Sequence, residues 1–92
     1  MFSVDYDDQG TIRLVGDATV REAEALRETL RVAVAEKRPA WTLDLAALDS
    51  VDTCTAQVLV AFKRTVPSFR AHSCTKGVRD FLAMTGLAEH LL

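Results

Sequence analysis

The chain has 92 residues, of which 49% are hydrophobic and 26% are charged, and its formal net charge is −2 at pH 7. This length predicts one domain over residues 1–92, with a single modest core. The weak negative charge gives no electrostatic basis for binding nucleic acid or an anionic membrane. Its apolar runs are far shorter than the ~20 residues that span a bilayer. The start "MFSVDYDD" carries acids where a signal peptide carries bases, so we expect a cytoplasmic protein.

Two runs near the start, "FSVDY" and "TIRLV", alternate apolar and polar residues, which is the period of a strand. The turn residues "DDQG" between them predict a β-hairpin. Gly16 then interrupts the alternation. Thr19 and Glu22 have the spacing of a capping box, so we predict that a first helix begins at Val20 and ends at "EKRP".

The second half of the chain again alternates strands and helices. "WTLDL" predicts a strand with Trp41 buried, and a second helix is expected over Thr55–Thr65, before Pro67. "SFRAH" predicts a short strand. "TKGVRDFLAMTG" predicts a third helix with Gly86 as its C-cap glycine, and "LAEHLL" predicts a last helical turn.

The predicted order is therefore β-β-α-β-α-β-α-α. Strands that alternate with helices indicate parallel β-α-β crossovers and a sheet on which helices pack. We predict a single α/β domain with a mixed sheet of four strands, or five with an unrecognised edge strand, and about four helices.

The stretch "DSVDTCTAQVLVAF" concentrates acidic and hydroxyl residues before an apolar run. Asp44, Asp49 and Asp52 suggest a magnesium site, but such acids are more typical of turns and caps, so we predict no metal and no cofactor. A catalytic nucleophile would need a nearby base, yet the nearest histidine in the sequence is His72, and no GxSxG motif is present. We therefore predict that the protein is not an enzyme.

The two cysteines, Cys54 and Cys74, lie twenty positions apart and have no CxxC motif, which argues against zinc. Cys54 falls near a predicted helix N-terminus, where the helix dipole favours a thiolate. A redox sensor at Cys54 is therefore one alternative function.

The start of the second helix needs partners for its unpaired backbone N–H groups. Asp52 or Thr53 is expected to be the N-cap. A phosphate on a hydroxyl there would add nearly two negative charges, which the helix tolerates and a docked partner does not. An anion or ligand pocket at this helix start is a further alternative.

Apolar residues run consecutively through the middle of the second helix, over 58–62, and so cover most of its circumference. Two explanations are open. The first and third helices flank it closely, or an apolar stripe faces outward as a protein-binding surface.

The chain resembles the STAS domain family of anti-sigma-factor antagonists and related regulators. The resemblance rests on "LDLAALDSVDTCTAQVLVA", which is similar to the family's pattern of Asp-Leu followed by hydrophobe-Asp-Ser-Ser-Gly and an apolar helix. "VGDAT" and "KGVRDFLAMTGLAEHL" are similar to the turn before the first helix and to the closing segment. The resemblance covers nearly the whole chain and places Asp44 and Asp52 in register with the family.

The resemblance implies a switch in which a kinase modifies a serine of the Asp-Ser-Ser-Gly loop and the modified domain releases its partner. In this register Thr53 takes the first serine, Cys54 the second and usual acceptor, and Thr55 the glycine. Thr53 and Thr55 are therefore the phosphorylation candidates.

The same resemblance implies a regulatory protein-binding domain that acts without catalysis. Its partner would be an anti-sigma factor or switch kinase, or a chemosensory or stress complex. A constitutive accessory subunit of a phospholipid-transport ABC ATPase is the main alternative, because the pair Asp52-Thr53 resembles that small family member. The predicted partner-binding residues are Asp52, Thr53, Cys54, Thr55, Gln57 and Val60.

Overall fold

The computed structural model describes residues 2–92, and its elements follow the predicted order. Four strands form one mixed sheet, and four α-helices accompany it. The elements are β1 (Phe2–Tyr6), β2 (Thr11–Ala18), a 3-10 turn (Val20–Glu22), α1 (Ala23–Val34), β3 (Trp41–Val51), α2 (Thr53–Thr65), β4 (Phe69–His72), α3 (Lys76–Met84) and α4 (Ala88–Leu91).

The predicted hairpin is confirmed, with β1 antiparallel to β2. The Asp7 carboxylate accepts hydrogen bonds from the backbone N–H of Gln9 at 2.9 Å and of Thr11 at 3.0 Å, which closes the turn. These bonds, that from Thr11 first, hold the pKa of Asp7 below its ordinary value. Gly10 has a φ of +84°, and a Cβ there would lie 2.9 Å from the Ala40 carbonyl oxygen, so the turn requires glycine.

The β-α-β crossovers are confirmed by the parallel pairing of β2 with β3 and of β3 with β4. In β2, Ile12 and Leu14 are buried, whereas the alternate residues Arg13 and Val15 are exposed. The helices therefore cover one face of the sheet and leave the other open to solvent.

The core lies between that covered face and the helices, and Trp41 is its largest side chain. The Trp41 ring makes edge-to-face contacts with Tyr6 at 5.5 Å and with Phe62 at 5.7 Å between centroids, and Phe62 contacts Phe69 at 5.9 Å. This aromatic chain joins β1, β3, α2 and β4.

Strand β3 is longer than predicted, since it continues to Val51 rather than ending at Leu45. Its pairing with β2 shifts register twice, and each shift places one extra residue on the β3 side. These β-bulges change the spacing of the buried residues from two to three, so Leu48 and Val51 remain buried.

The start of the first helix was predicted wrongly. Residues Val20–Glu22 form a 3-10 turn, and the α-helix begins at Ala23. The Thr19 side chain caps nothing; its carbonyl oxygen accepts from the Glu22 N–H at 2.8 Å instead. That i→i+3 bond is the one a 3-10 turn makes, and it replaces the expected capping box.

Gly86 ends α3 as predicted. It adopts a φ of +78°, its N–H donates to the Ala83 carbonyl, and the Leu87 N–H donates to the Leu82 carbonyl at 2.9 Å. These two bonds form a Schellman motif, which satisfies the last carbonyls of α3 and directs the chain into α4.

None of the helices within residues 2–92 has the length and apolar character needed to cross a bilayer.

Candidate functional site

The N-terminus of α2 is closed by a reciprocal pair of hydrogen bonds, and Asp52 is its N-cap, one of the two residues expected there. The Asp52 carboxylate oxygen Oδ1 accepts from the Thr55 N–H at 2.9 Å, and the Thr55 oxygen Oγ1 accepts from the Asp52 N–H at 3.3 Å. This is a capping box, and it starts the helix at Thr53, two residues before the predicted Thr55.

Thr55 also ties the start of α2 to the end of β2. Its hydroxyl is fully buried and lies 2.8 Å from the Ala18 carbonyl oxygen, which also accepts from the Asp52 N–H at 3.1 Å. The sequence had placed Thr55 among the phosphorylation and contact candidates. Burial corrects that placement, because an oxygen without solvent exposure can neither reach a kinase nor touch a partner while the domain is folded.

Three of the predicted contact residues do reach the surface. Thr53, Cys54 and Gln57 are all exposed at the first turn and a half of α2, and Asp52 beneath them is half-buried. Val60 is different, because only 7% of it is exposed and it packs in the core cluster. The outward patch of α2 is therefore Thr53, Cys54 and Gln57.

Helix α2 lies between α1 and α4, where the sequence had suggested the first and third helices as neighbours. Leu59, Val60 and Phe62 are buried by this packing, but Val58 is half-buried and Ala61 is exposed. Both explanations of the apolar run thus hold in part: neighbouring helices cover most of it, and a narrow apolar strip remains open.

The acidic residues of this region do not converge. Asp44 accepts from the Ala46 N–H at 3.0 Å and pairs with Arg13, and these two contacts, the backbone bond first, hold its pKa below the ordinary value. Asp49 is exposed on β3, whereas Asp52 serves the cap. Across residues 2–92 no three histidine, cysteine or acidic side chains come together as a metal site would need.

The cysteines occupy unlike environments. Cys54 is exposed in the first turn of α2, which leaves the redox hypothesis a prediction. Cys74 is half-buried before α3, and burial raises the pKa of its thiol.

One connection near the site has no sequence signal. The Thr75 hydroxyl caps α3 and lies 3.3 Å from the Leu48 carbonyl oxygen of β3. A Thr-x-x pattern indicates the cap, but nothing in the sequence indicates which strand carbonyl the hydroxyl meets.

Replacing Thr55 with valine should lower the free energy of unfolding by about 1 kcal/mol, the net worth of a typical hydrogen bond. The effect stays moderate because the Ala18 carbonyl keeps its bond from the Asp52 N–H. Urea unfolding of Thr55→Val, Asp52→Ala and the double variant measures it. A double variant whose loss equals the sum of the two single losses would mean that the residues do not act as one cap.

Comparisons with known proteins agree with the observed fold. A family model described as "Mlab, STAS domain" matches residues 2–92. Among solved structures, an anti-sigma factor antagonist from Mycobacterium paratuberculosis is similar, with 22% identity and a TM-score of 0.80, over 97% of this chain and 80% of that one. No curated protein matched the sequence.

SpoIIAA, another anti-sigma factor antagonist, is similar in two forms. Its unphosphorylated form has 14% identity and a TM-score of 0.74, over 100% of this chain and 86% of that one. The phosphorylated form, from Bacillus, has 12% identity and a TM-score of 0.69, over 100% of this chain and 89% of that one. At these identities the likeness establishes the fold.

Proposed function

The chain belongs to the STAS domain family, and from this premise we propose that it is a non-enzymatic regulatory domain that binds another protein through the start of α2. The contact surface in this proposal is the outward patch of Thr53, Cys54 and Gln57. Asp52 and the buried Thr55 hold that patch in place from beneath.

The observation that carries the proposal is the combination of an exposed patch with a rigid base. The capping box and the bonds to the Ala18 carbonyl fix the backbone of 52–55, while the side chains of Thr53 and Gln57 are exposed. A surface held in one conformation loses little conformational entropy when a partner docks, and this favours recognition at this place.

We propose that phosphorylation of Thr53 switches this surface. Thr53 occupies the first helical position, next to the positive end of the helix dipole, so a phosphate there would not destabilise α2. It would place a doubly charged, strongly hydrated group within the contact surface, which disfavours docking. SpoIIAA, whose fold is similar, exists in both phosphorylated and unphosphorylated forms.

A constitutive accessory subunit of a phospholipid-transport ABC ATPase is the second candidate. The pair Asp52-Thr53 supports it, because Asp52 is engaged as the cap and Thr53 is exposed for a direct contact that needs no modification. The two candidates use the same patch and differ in the partner and in the presence of phosphate.

A photo-cross-linking amino acid tests the surface. Placed at position 57 in the cell of origin, it should form a covalent adduct with one defined protein, because this position lies within the outward patch. The matched control is position 70, which is exposed on β4 at the other end of the sheet. Equal adducts from both positions, or none from position 57, would remove α2 as the binding surface. The mass of the adduct identifies an anti-sigma factor, a kinase or an ATPase.

A further inference from the structure

A groove runs along the side of α2 that faces α1, and we call it the α1/α2 groove. It has a volume of about 550 Å³, which lies within the range of small-molecule sites. The residues of α1 that line it are spaced i, i+3, i+4 and i+7, so they form one stripe along that helix. The lining residues of α2 have the same helical spacing. Its lining includes Arg27, Leu30, Val34, Gln57, Ala61 and Phe62.

Apart from Arg31, the groove is apolar at its centre and at one end. Leu30 and Phe62 are nearly fully buried and form its floor, and Val34 is half-buried. The Thr65 hydroxyl at this end donates to the Ala61 carbonyl at 2.8 Å and so offers its hydrogen to no ligand. An aliphatic chain in this part of the groove would replace water on apolar surface.

The opposite end of the groove is polar and cationic. Both helices lie on parallel crossovers and run in the same direction, so Arg27 and Gln57 lie toward the two helix N-termini. The charged side chains that line the groove within residues 2–92 are Arg27 and, one turn further along α1, Arg31. The Cys54 thiol also lines it, and no carboxylate does. Glu28 holds the Arg31 guanidinium through two hydrogen bonds, whereas Arg27 has only a 3.8 Å contact with Glu24.

We propose that the α1/α2 groove binds an amphipathic carboxylate, a single aliphatic chain that ends in one carboxylate. The Arg27 guanidinium recognises the carboxylate with its fork of N–H donors, and Gln57 offers an amide N–H beside it. The chain lies over Leu30 and Phe62 toward Val34. This charge complementarity along one axis selects an anion with a tail over a neutral or cationic amphiphile.

Sodium dodecanoate, kept below its micelle concentration, is the probe. Titration into the full chain, followed by amide NMR shifts and calorimetry, should give saturable binding with shifts confined to α1 and α2. Arg27→Gln should weaken binding about fivefold by removing the charge-assisted contact. Arg70→Gln, which removes an exposed arginine from β4, should leave it unchanged.

A second variant tests whether the ligand occupies the groove, and a second ligand tests whether the charge of its head group matters. Ala61→Trp fills the groove from an exposed position and should abolish binding while the protein stays folded by circular dichroism. Dodecyltrimethylammonium, with the same tail and a cationic head, should bind at least about fivefold more weakly, since Arg27 repels it.

Three titration results would overturn the proposal. They are dodecanoate binding that survives Ala61→Trp, equal binding of dodecanoate and dodecyltrimethylammonium, and binding of dodecyl phosphate, titrated as a third amphiphile, where dodecanoate does not bind. A dimer that forms without ligand and is lost in Ala61→Trp would assign the groove to a second copy of the chain, and would also overturn it. The titration uses no protein partner, so its failure is distinguishable from failure of the protein-binding proposal, although Gln57 belongs to both surfaces.

Discussion

Replacing Phe62 with alanine should lower the free energy of unfolding by about 3–5 kcal/mol, the usual cost of deleting a buried phenylalanine side chain. Only 4% of Phe62 is exposed, and its ring contacts Trp41 on β3 and Phe69 on β4. The deletion would leave a cavity between α2 and the sheet. A chain of this length is expected to have about 5–14 kcal/mol of stability in total, so Phe62→Ala would remove a large part of it.

Phe81→Ala is the matched control for this variant. Phe81 lies on α3, is only half-buried, and packs at the margin of the core, so its loss should cost about 2 kcal/mol or less. Urea unfolding measures both, and the midpoint should fall while the slope stays constant. If both variants lose the same free energy of unfolding, the aromatic chain contributes no more to holding α2 in place than Phe81 contributes for α3.

The anchoring of α2 also bears on function. The outward patch lies in the first turn and a half of this helix, and its position depends on the buried residues that hold the helix in place. Phe62 fixes the C-terminal half of α2 against the sheet, whereas Thr55 fixes the N-terminal end against β2. The candidate site thus consists of surface residues whose placement is determined by buried ones, which is the usual requirement for a preorganised site.

Much of the fold could be predicted because local patterns agree with the tertiary structure. The alternation in "FSVDY" and "TIRLV" matches a hairpin with one buried face, and Gly86 satisfies a backbone requirement that only a residue with positive φ meets. The α/β class follows from the order of such elements, and the resemblance to the STAS family rested on the stretch around Asp52.

The parts that were not predicted depend on contacts distant in sequence. The second half of β3 has apolar residues three apart because two bulges accommodate the register of β2, and a strand pattern with period two does not show this. Likewise, the sequence could not show that the hydroxyl of Thr55 meets the Ala18 carbonyl, 37 residues away. In the sequence alone, a buried threonine at a helix start looks the same as an exposed one. Only the contact with the strand carbonyl distinguishes them.

Thr53, an exposed residue at the start of α2, gives the most direct functional test. Thr53→Glu should weaken binding of the cross-linked partner by about 1–2 kcal/mol, or about five- to thirtyfold in Kd, through added charge and its desolvation. The fold should be unaffected, because Thr53 is exposed and a carboxylate in the first helical turn interacts favourably with the helix dipole.

Thr53→Gln separates charge from size, because glutamine has the same length and shape as glutamate and is neutral. If the phosphate switch operates through charge, Thr53→Gln should bind several-fold more tightly than Thr53→Glu, and both should unfold at the urea concentration of the parent. Calorimetry with the purified partner measures the affinities.

Intact mass after treatment with a cognate kinase should show one phosphate on the parent and none on Thr53→Ala. Unchanged affinity in Thr53→Glu would reject Thr53 as a contact residue. If the interface is instead that of a constitutive subunit, Thr53→Glu still weakens binding, because the charge is buried against the partner, yet no phosphate appears on the parent chain.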